Sequence, residues 1–259
     1  MDKLMSETNR SPSSSLRLEA LALLAIGRTG ADIERVVREA RQRARRGQRD
    51  LAWADIEQAL DADRMTMSDD LRWRVSVHEA GHAIAFTLLG IGEVESVTLG
   101  IGSVGQVIVN RYGHLAQTED WLTKTMAATL AGRVAEQMVI GEALAGSGGG
   151  EDSDLAKATG IALDAETSLG FAEQQPLLYR ATVRGFDVLS LDRQLAERVN
   201  ARLLRAETIA HELLDREGSK LMALASRLNH AGIMSGEEVR QLLGIRLDGQ
   251  GDEDVETRL

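Results

Sequence analysis

The sequence predicts a mainly α protein of the α+β kind, with a small β-sheet set among its helices. Three observations carry this. Proline occurs in only two places, Pro12 and Pro176, and aromatic residues make up 3% of the 259 residues, so long Ala- and Leu-rich stretches run without a helix breaker. Several of those stretches place apolar residues at helical spacing. Two short runs, Val94 to Leu99 and Val104 to Asn110, are instead rich in β-branched residues and read as a hairpin or small sheet. With 43% apolar side chains, the chain is long enough for one large core, or a large one beside a small one.

From the start, residues 1–15 are polar and serine-rich and read as a flexible tail. Leu16 to Ile26 is a short apolar helix that breaks at Gly27-Arg28-Thr29-Gly30. Ala31 to Arg46 follows with Ile33, Val36, Val37, Ala40 and Ala44 on one face, and Thr29 with Asp32 three residues on forms its N-terminal cap. The opposite face carries Arg35, Arg38, Arg41, Arg45 and Arg46. A solvated face is the plainer explanation, and an anionic partner or lipid surface the alternative. Trp53 to Leu60 is a third short helix. The acidic stretch Asp61 to Asp70 then marks a boundary, giving a helical segment at 16–66, a main domain at 67–246 and an acidic tail at 247–259.

The main domain opens on a helix from about Leu71 to Leu89, with Asp69 and Asp70 in the first turn, where negative charge suits the helix dipole. Gly90 and Gly92 end it, and the two β-branched runs follow. A long helix from Thr118 to Ile140 carries Leu122, Met126, Leu130 and Val134 on one side. Gly141 to Gly150 reads as a flexible loop, and Glu151-Asp152-Ser153-Asp154 opens a helix running to Leu169.

Composition excludes several function classes. There is no cysteine, so neither a disulfide framework nor a thiolate zinc site is possible, and any zinc must be held by His, Asp or Glu. A net charge of -10 argues against general nucleic-acid binding, because a phosphate backbone repels such a surface. The apolar stretches Ala20 to Ile26 and Ala83 to Ile91 fall short of a bilayer span, and the N-terminus lacks a basic-then-apolar signal pattern. A cytoplasmic protein, membrane-associated only through a partner, is the expectation.

The stretch that carries chemistry is His78-Glu79-Ala80-Gly81-His82. Four residues is just over one helical turn, so the two imidazoles share a face and can offer nitrogens to one metal ion. Glu79 sits on the adjoining face, beside the metal, where it can take a proton from a water the metal activates. The bland alternative is a helix whose histidines are satisfied by core hydrogen bonds. Small and apolar neighbours (Val75, Val77, Ala80, Gly81, Ala83, Ile84, Phe86) imply burial nearly all round, where two histidines and a carboxylate are costly without a ligand. Neither a third histidine six residues after His82 nor a cysteine can complete a three-ligand site, so an acid must. The candidates are Glu136 and the cluster Glu151, Asp152 and Asp154, whose residues also read as ordinary helix-capping acids.

At this point the sequence resembles the peptidase domain of the FtsH family, the membrane-anchored AAA zinc proteases of bacteria and organelles. The matching stretches are His-Glu-Ala-Gly-His-Ala from His78, Leu-Ala-Gly-Arg-Val-Ala-Glu from Leu130, and Gly-Glu-Asp-Ser-Asp-Leu-Ala-Lys-Ala-Thr from Gly150, in the family's order and spacing. Leu169 to Glu173 and Pro176 to Tyr179 match a further segment. Leu191 to Glu217 and Ser219 to Asn229 look like the family's long helix and its follower, and Ser235 to Glu238 is a capping box before Val239. Upstream, Gly27 to Leu60 resembles the end of the AAA helical lid. Val77 stands where the family often has an aromatic, and no Pro-Arg-Gly follows the first strand.

The resemblance implies a helical metallopeptidase domain with its small sheet beside the motif helix. His78, His82 and Asp154 would hold Zn²⁺, and Glu79 would be the general base in hydrolysis of unfolded or flexible polypeptides, with Asp152 left as a helix cap. The substrate would lie along Val104 to Asn110. His114, near that strand, reads as a surface-loop histidine, and His211 and His230 as structural or exposed. Partners implied are polypeptide substrates, further copies of the chain in a hexamer, or a separate AAA ATPase. None of the four lysines follows a glycine, so no P-loop is present and no ATPase core is expected. The alternatives are a non-catalytic or regulatory subunit of an FtsH-like assembly, and a helical interaction module with an accidental motif.

Overall fold

The structure is a computed structural model and describes residues 28–62, 65–101, 103–110, 115–180 and 188–245, with 18, 21, 22, 24 and 25. The element order among them is α1 (Gly30–Arg46), α2 (Trp53–Asp61), α3 (Asp69–Leu88), β1 (Glu93–Leu99), β2 (Gly105–Asn110), α4 (Glu119–Ile140), a 3-10 turn (Ala145–Ser147), α5 (Asp154–Thr167), the single turn α6 (Val188–Leu191), α7 (Arg193–Arg216), α8 (Gly218–Ala231), β3 (Ile233–Ser235) and α9 (Gly236–Leu243). This is the mainly α architecture the composition predicts. The expected tails and much of the Leu16 to Ile26 helix lie outside the described residues.

The helix bearing the His-Glu-Ala-Gly-His stretch is α3, and it is central. Ser68 caps it by accepting from the Leu71 N–H at 3.2 Å, and Asp69 and Asp70 fill its first turn. From Val75 to Ala85 every residue but His78 is buried, so the helix is enclosed rather than amphipathic. It packs on α4, α8 and the sheet. The α3–α4 contact is close because it is built of small residues. A Cβ on Gly81 would stand 2.5 Å from the Ala131 carbonyl oxygen and 2.7 Å from the Ala135 Cβ, which only glycine permits at that separation.

The α4 helix begins at Thr118, whose hydroxyl accepts from the Trp121 N–H, and stops at Gly141 in the left-handed region (φ +89). The hairpin is antiparallel with Val97 opposite Val107 and Leu99 opposite Gly105, and a bulge falls between Val94 and Ser96. A third strand not foreseen from sequence, β3, pairs Met234 with Val97. The order is β2-β1-β3, which leaves β2 as an edge strand.

Two hydrophobic clusters are present among the described residues. The large one joins α3, α4, α5, α7, α8, α9 and the sheet. The small one consists of Leu21, Val36, Ala40, Ala59 and Leu60. The Thr29–Asp32 capping box forms at α1. Arg35, Arg38, Arg41, Arg45 and Arg46 are exposed, with i,i+4 pairs Arg35–Glu39 at 3.2 Å and Arg38–Glu34 at 3.8 Å, as a solvated face requires. No helix among the described residues is long and apolar enough to cross a membrane.

Two ion-pair arrangements hold these parts. Arg202 of α7 is buried and donates to Glu166 at the end of α5 (2.6 Å), to Glu119 at the start of α4 (2.7 Å) and to the Phe171 carbonyl. Arg198 reaches the other Glu166 oxygen at 2.9 Å. In the small cluster, both Asp55 oxygens accept from Arg49, at 2.5 and 2.6 Å, and the Ala52 N–H adds a third bond at 2.9 Å. The Arg49 hydrogen bond, then that of Ala52, holds the Asp55 carboxyl well below the usual carboxylate range.

Arg202→Met should cost about 3 kcal/mol, since it leaves buried Glu166 half-paired; thermal unfolding that matches the parent would show the network to be dispensable. A depressed folded pKa gives stability that is present above the unfolded value of 3.8 and fades as pH falls below it. Asp55→Asn should therefore speed amide exchange in α1 and α2 at neutral pH, and the difference from the parent should shrink below that value.

Candidate metal centre

Three side chains from two helices converge on one point. His78 and His82 lie one turn apart on α3, and Asp154 is the first residue of α5, which approaches from across α4. The two Nε2 atoms are 3.0 Å apart, and Asp154 Oδ2 lies 3.1 Å from the first and 3.2 Å from the second. Among the described residues these three form the group whose donor atoms all lie within 4.8 Å of one another.

Each imidazole is turned by a bond at its other nitrogen. His78 Nδ1 donates to Glu136 Oε1 at 2.6 Å, and His82 Nδ1 donates to the Ala128 carbonyl at 2.8 Å. Both acceptors are on α4, so that helix fixes the tautomers that free both Nε2 lone pairs. Glu136 is itself held by the Leu144 N–H at its second oxygen. The sequence left Glu136 open as a third ligand. The structure places its carboxylate on the far side of the ring, orienting His78, while Asp154 stands with the Nε2 pair. The Asp152 capping expectation is corrected: Ser153 is the N-cap, accepting from the Ala156 N–H at 3.3 Å, because the chain enters the helix one residue later.

The electrostatics fit a cation. Burial disfavours a charged His78, yet hydrogen bonds to Asp154 and Glu136 outweigh it and leave its pKa raised to about 10. Burial would raise Asp154, but its bonds to His78 and His82 hold it well below the usual range. Two carboxylates thus demand positive charge at the imidazole pair, which a proton or a metal ion can supply. A tetrahedral zinc, with bonds of about 2.0–2.1 Å, spaces its donors roughly 3.3 Å apart. Two neutral imidazoles and one carboxylate, at nearly that spacing, therefore suit zinc.

Glu79 lies beside this group and not in it. Its carboxyl is buried at 6% exposure. Burial pushes its pKa up, the two histidines oppose this, and Asp154 adds to it. All four residues line a cleft of about 870 Å³ between α3, β2, the 144–147 turn and the start of α5. Leu71, Val75, Phe86, Val107 and Val109 supply its apolar wall.

Sequence reasoning missed the glycines that make the room. A Cβ on Gly132 would stand 2.5 Å from His82 Nε2 and 2.6 Å from His78 Nε2, so the bare backbone of α4 forms the floor under both donors. The signal was Gly132 itself, isolated inside an otherwise strong helical pattern. Among the remaining histidines, His211 and His230 are exposed on α7 and α8, and His114 lies outside the described residues.

The sequence profile described as peptidase family M41 matches residues 65–242. The chain is similar to "ATP-dependent zinc metalloprotease FtsH 1" of Sorangium cellulosum, 30% identical over 90% of this chain and 41% of the relative. It is also similar to the protein of that name from Symbiobacterium thermophilum, 33% identical over 89% and 40%. The chain thus spans about two fifths of the length of the curated relatives it matches.

Stoichiometric uptake of Zn²⁺, measured by elemental analysis after dialysis, should separate these residues. Asp154→Ala and Gly132→Ala should bind little. Asp152→Ala should bind as the parent does, and Glu136→Gln should bind about 10- to 100-fold more weakly. Equal zinc in the Asp154 and Asp152 variants would remove Asp154 from the site.

Proposed function

The chain belongs to peptidase family M41, and on that premise we propose that it is a zinc-dependent endopeptidase cleaving unfolded or flexible polypeptides, with no ATPase core within these 259 residues. One observation carries the reading. The Nε2 atoms of His78 and His82 and Asp154 Oδ2 stand 3.0–3.2 Å apart with a buried Glu79 beside them, all facing one cleft.

His78, His82 and Asp154 would hold the zinc. Bound there, zinc supplies Lewis acidity, lowering the pKa of water toward neutrality and polarising a carbonyl. Glu79 is the general base and accepts the water proton at its carboxylate as the peptide carbonyl is attacked. Its buried setting raises its proton affinity, which suits a group that must take a proton and pass it to the leaving amine. Ala128 and Glu136 keep both histidines in the ligating tautomer. The apolar walls of the cleft exclude water from the reacting bond.

Substrate recognition is read from β2. It is an edge strand, and Val104, Gly105, Gln106, Val107 and Val109 line the cleft. An extended polypeptide adding to that edge would be held by main-chain bonds, which recognise peptide with little sequence preference. Only an unfolded or flexible segment can lie so. The helical segment at 16–66 is read as lid-like, and the main domain at 67–246 as the peptidase. Unfolding of stable substrates falls to an AAA ATPase outside this sequence, and a hexamer of the chain is the assembly that suits it. The intact Glu79 weighs against a purely regulatory subunit, which has no use for a base.

Casein digestion tests this. The parent should degrade it, a zinc chelator should stop this and zinc restore it. Mg-ATP should change nothing, and Glu79→Gln should keep its zinc while losing about 10²–10⁴-fold in rate. Chelator-insensitive cleavage, near-parental activity of Glu79→Gln, or ATP-stimulated degradation of a stably folded protein would contradict the proposal.

A further inference from the structure

The first residue of β2 lies directly on the base. A Cβ built on Gly105 would stand 2.4 Å from Glu79 Oε1, 2.8 Å from Glu79 Cγ and 2.4 Å from Val75 Cγ1. Backbone conformation does not require glycine here, because Gly105 is absent from the glycines with positive φ. What forbids a side chain is contact with Glu79 and Val75, one turn apart on α3.

The nature of those neighbours distinguishes Gly105 from the other closely packed glycines. A Cβ on Gly81 would meet the Ala131 carbonyl and the Ala135 Cβ, and one on Gly236 would overlap the Val94 carbonyl. These neighbours are backbone or a Cβ fixed to it, which cannot turn away, and they bear on the fold. Gly132 meets the two metal-facing imidazoles. The nearest neighbours of a Cβ on Gly105 are instead side-chain atoms of Glu79 and Val75; β-branched Val75 is stiff on a helix, so the longer Glu79 side chain is the one that turns aside.

We propose that Gly105 is a positioning residue for Glu79, the bare strand backbone setting where the buried carboxylate stands. The inference rests on the reading of Glu79 as the base. Because β2 is also the strand on which substrate is read to lie, one short stretch of backbone aligns both the peptide and the group that serves its cleavage. A methyl at Gly105 turns the Glu79 side chain aside while leaving His78, His82 and Asp154 untouched. Displacing a reacting group by about 1 Å costs on the order of a hundredfold in rate.

The test is Gly105→Ala, compared with the parent in zinc content, casein-derived peptide hydrolysis and crystal structure. Zinc should match the parent. kcat should fall by roughly 10- to 100-fold with KM little changed, and the crystal structure should show the Glu79 carboxylate moved on an unchanged α3 backbone. Glu79→Asp, one methylene shorter, should lower activity in the parent yet raise it in the Gly105→Ala background, a coupling that general destabilisation does not produce. If Gly105→Ala folds poorly, Val75→Ala with Gly105→Ala removes the competing contact and takes its place. An unmoved carboxylate, parental kcat, or loss of zinc overturns the proposal. A parent with no zinc-dependent activity overturns the peptidase reading instead, and the crystal structure still decides the placement of Glu79.

Discussion

The structure depends on how closely α3 and α4 approach. Gly81 lies on the Ala131 carbonyl and the Ala135 methyl, and Gly132 lies beneath the imidazoles of His78 and His82. Each helix thus gives up a side chain where the other needs space, and the resulting proximity brings Ala128 and Glu136 within hydrogen-bonding reach of the two Nδ1 atoms. A larger separation would leave half-buried His78 and buried His82 unoriented and would open the core that Val77, Ala80, Ile84, Ala127 and Val134 close.

The remaining elements complete what that crossing begins. The α5 helix brings Asp154 to the imidazole pair and is anchored at its other end by Glu166 on Arg198 and Arg202. On the opposite side, β2 covers Glu79 at Gly105. The sheet is kept in place by β3 on the far edge of β1 and by Arg240 of α9 on Glu93, at 2.8 Å. The cleft therefore has a floor of helix backbone, a wall of strand backbone and a carboxylate at each side. Most of its geometry is set by main chain and small residues, which resist displacement better than long side chains do.

Much of this was legible in the sequence, for identifiable reasons. The α3 helix and its histidine pair showed because an enclosed helix carrying polar residues is conspicuous, and the capping boxes at Thr29 and Ser235 showed because their spacing is local. The β3 strand did not show: Ile233-Met234-Ser235 is too short to display a period, and its pairing partner is more than a hundred residues away. On the residues alone Glu136, Glu151, Asp152 and Asp154 were all open as ligands, and only the family resemblance singled out Asp154, because their roles depend on which side of an imidazole they reach, a fact of tertiary packing. The place of Asp152 was misjudged by one residue, since Ser153 is the better acceptor at a helix start. Gly132 left only the weak trace of a lone glycine inside a helical pattern, and Gly105 left none, because a missing side chain at the start of a strand has no pattern of its own.

The central claim is that His78, His82 and Asp154 together hold one zinc ion while Glu79 stays off it. Zinc-edge anomalous diffraction from crystals of the zinc-loaded chain tests it most directly. The account predicts a single strong peak about 2.0–2.2 Å from His78 Nε2, His82 Nε2 and an Asp154 carboxylate oxygen, with Glu79 and Glu136 outside bonding distance. A peak elsewhere, a peak ligated by Glu79 or Glu136 in place of Asp154, or no peak in crystals soaked with zinc would contradict it.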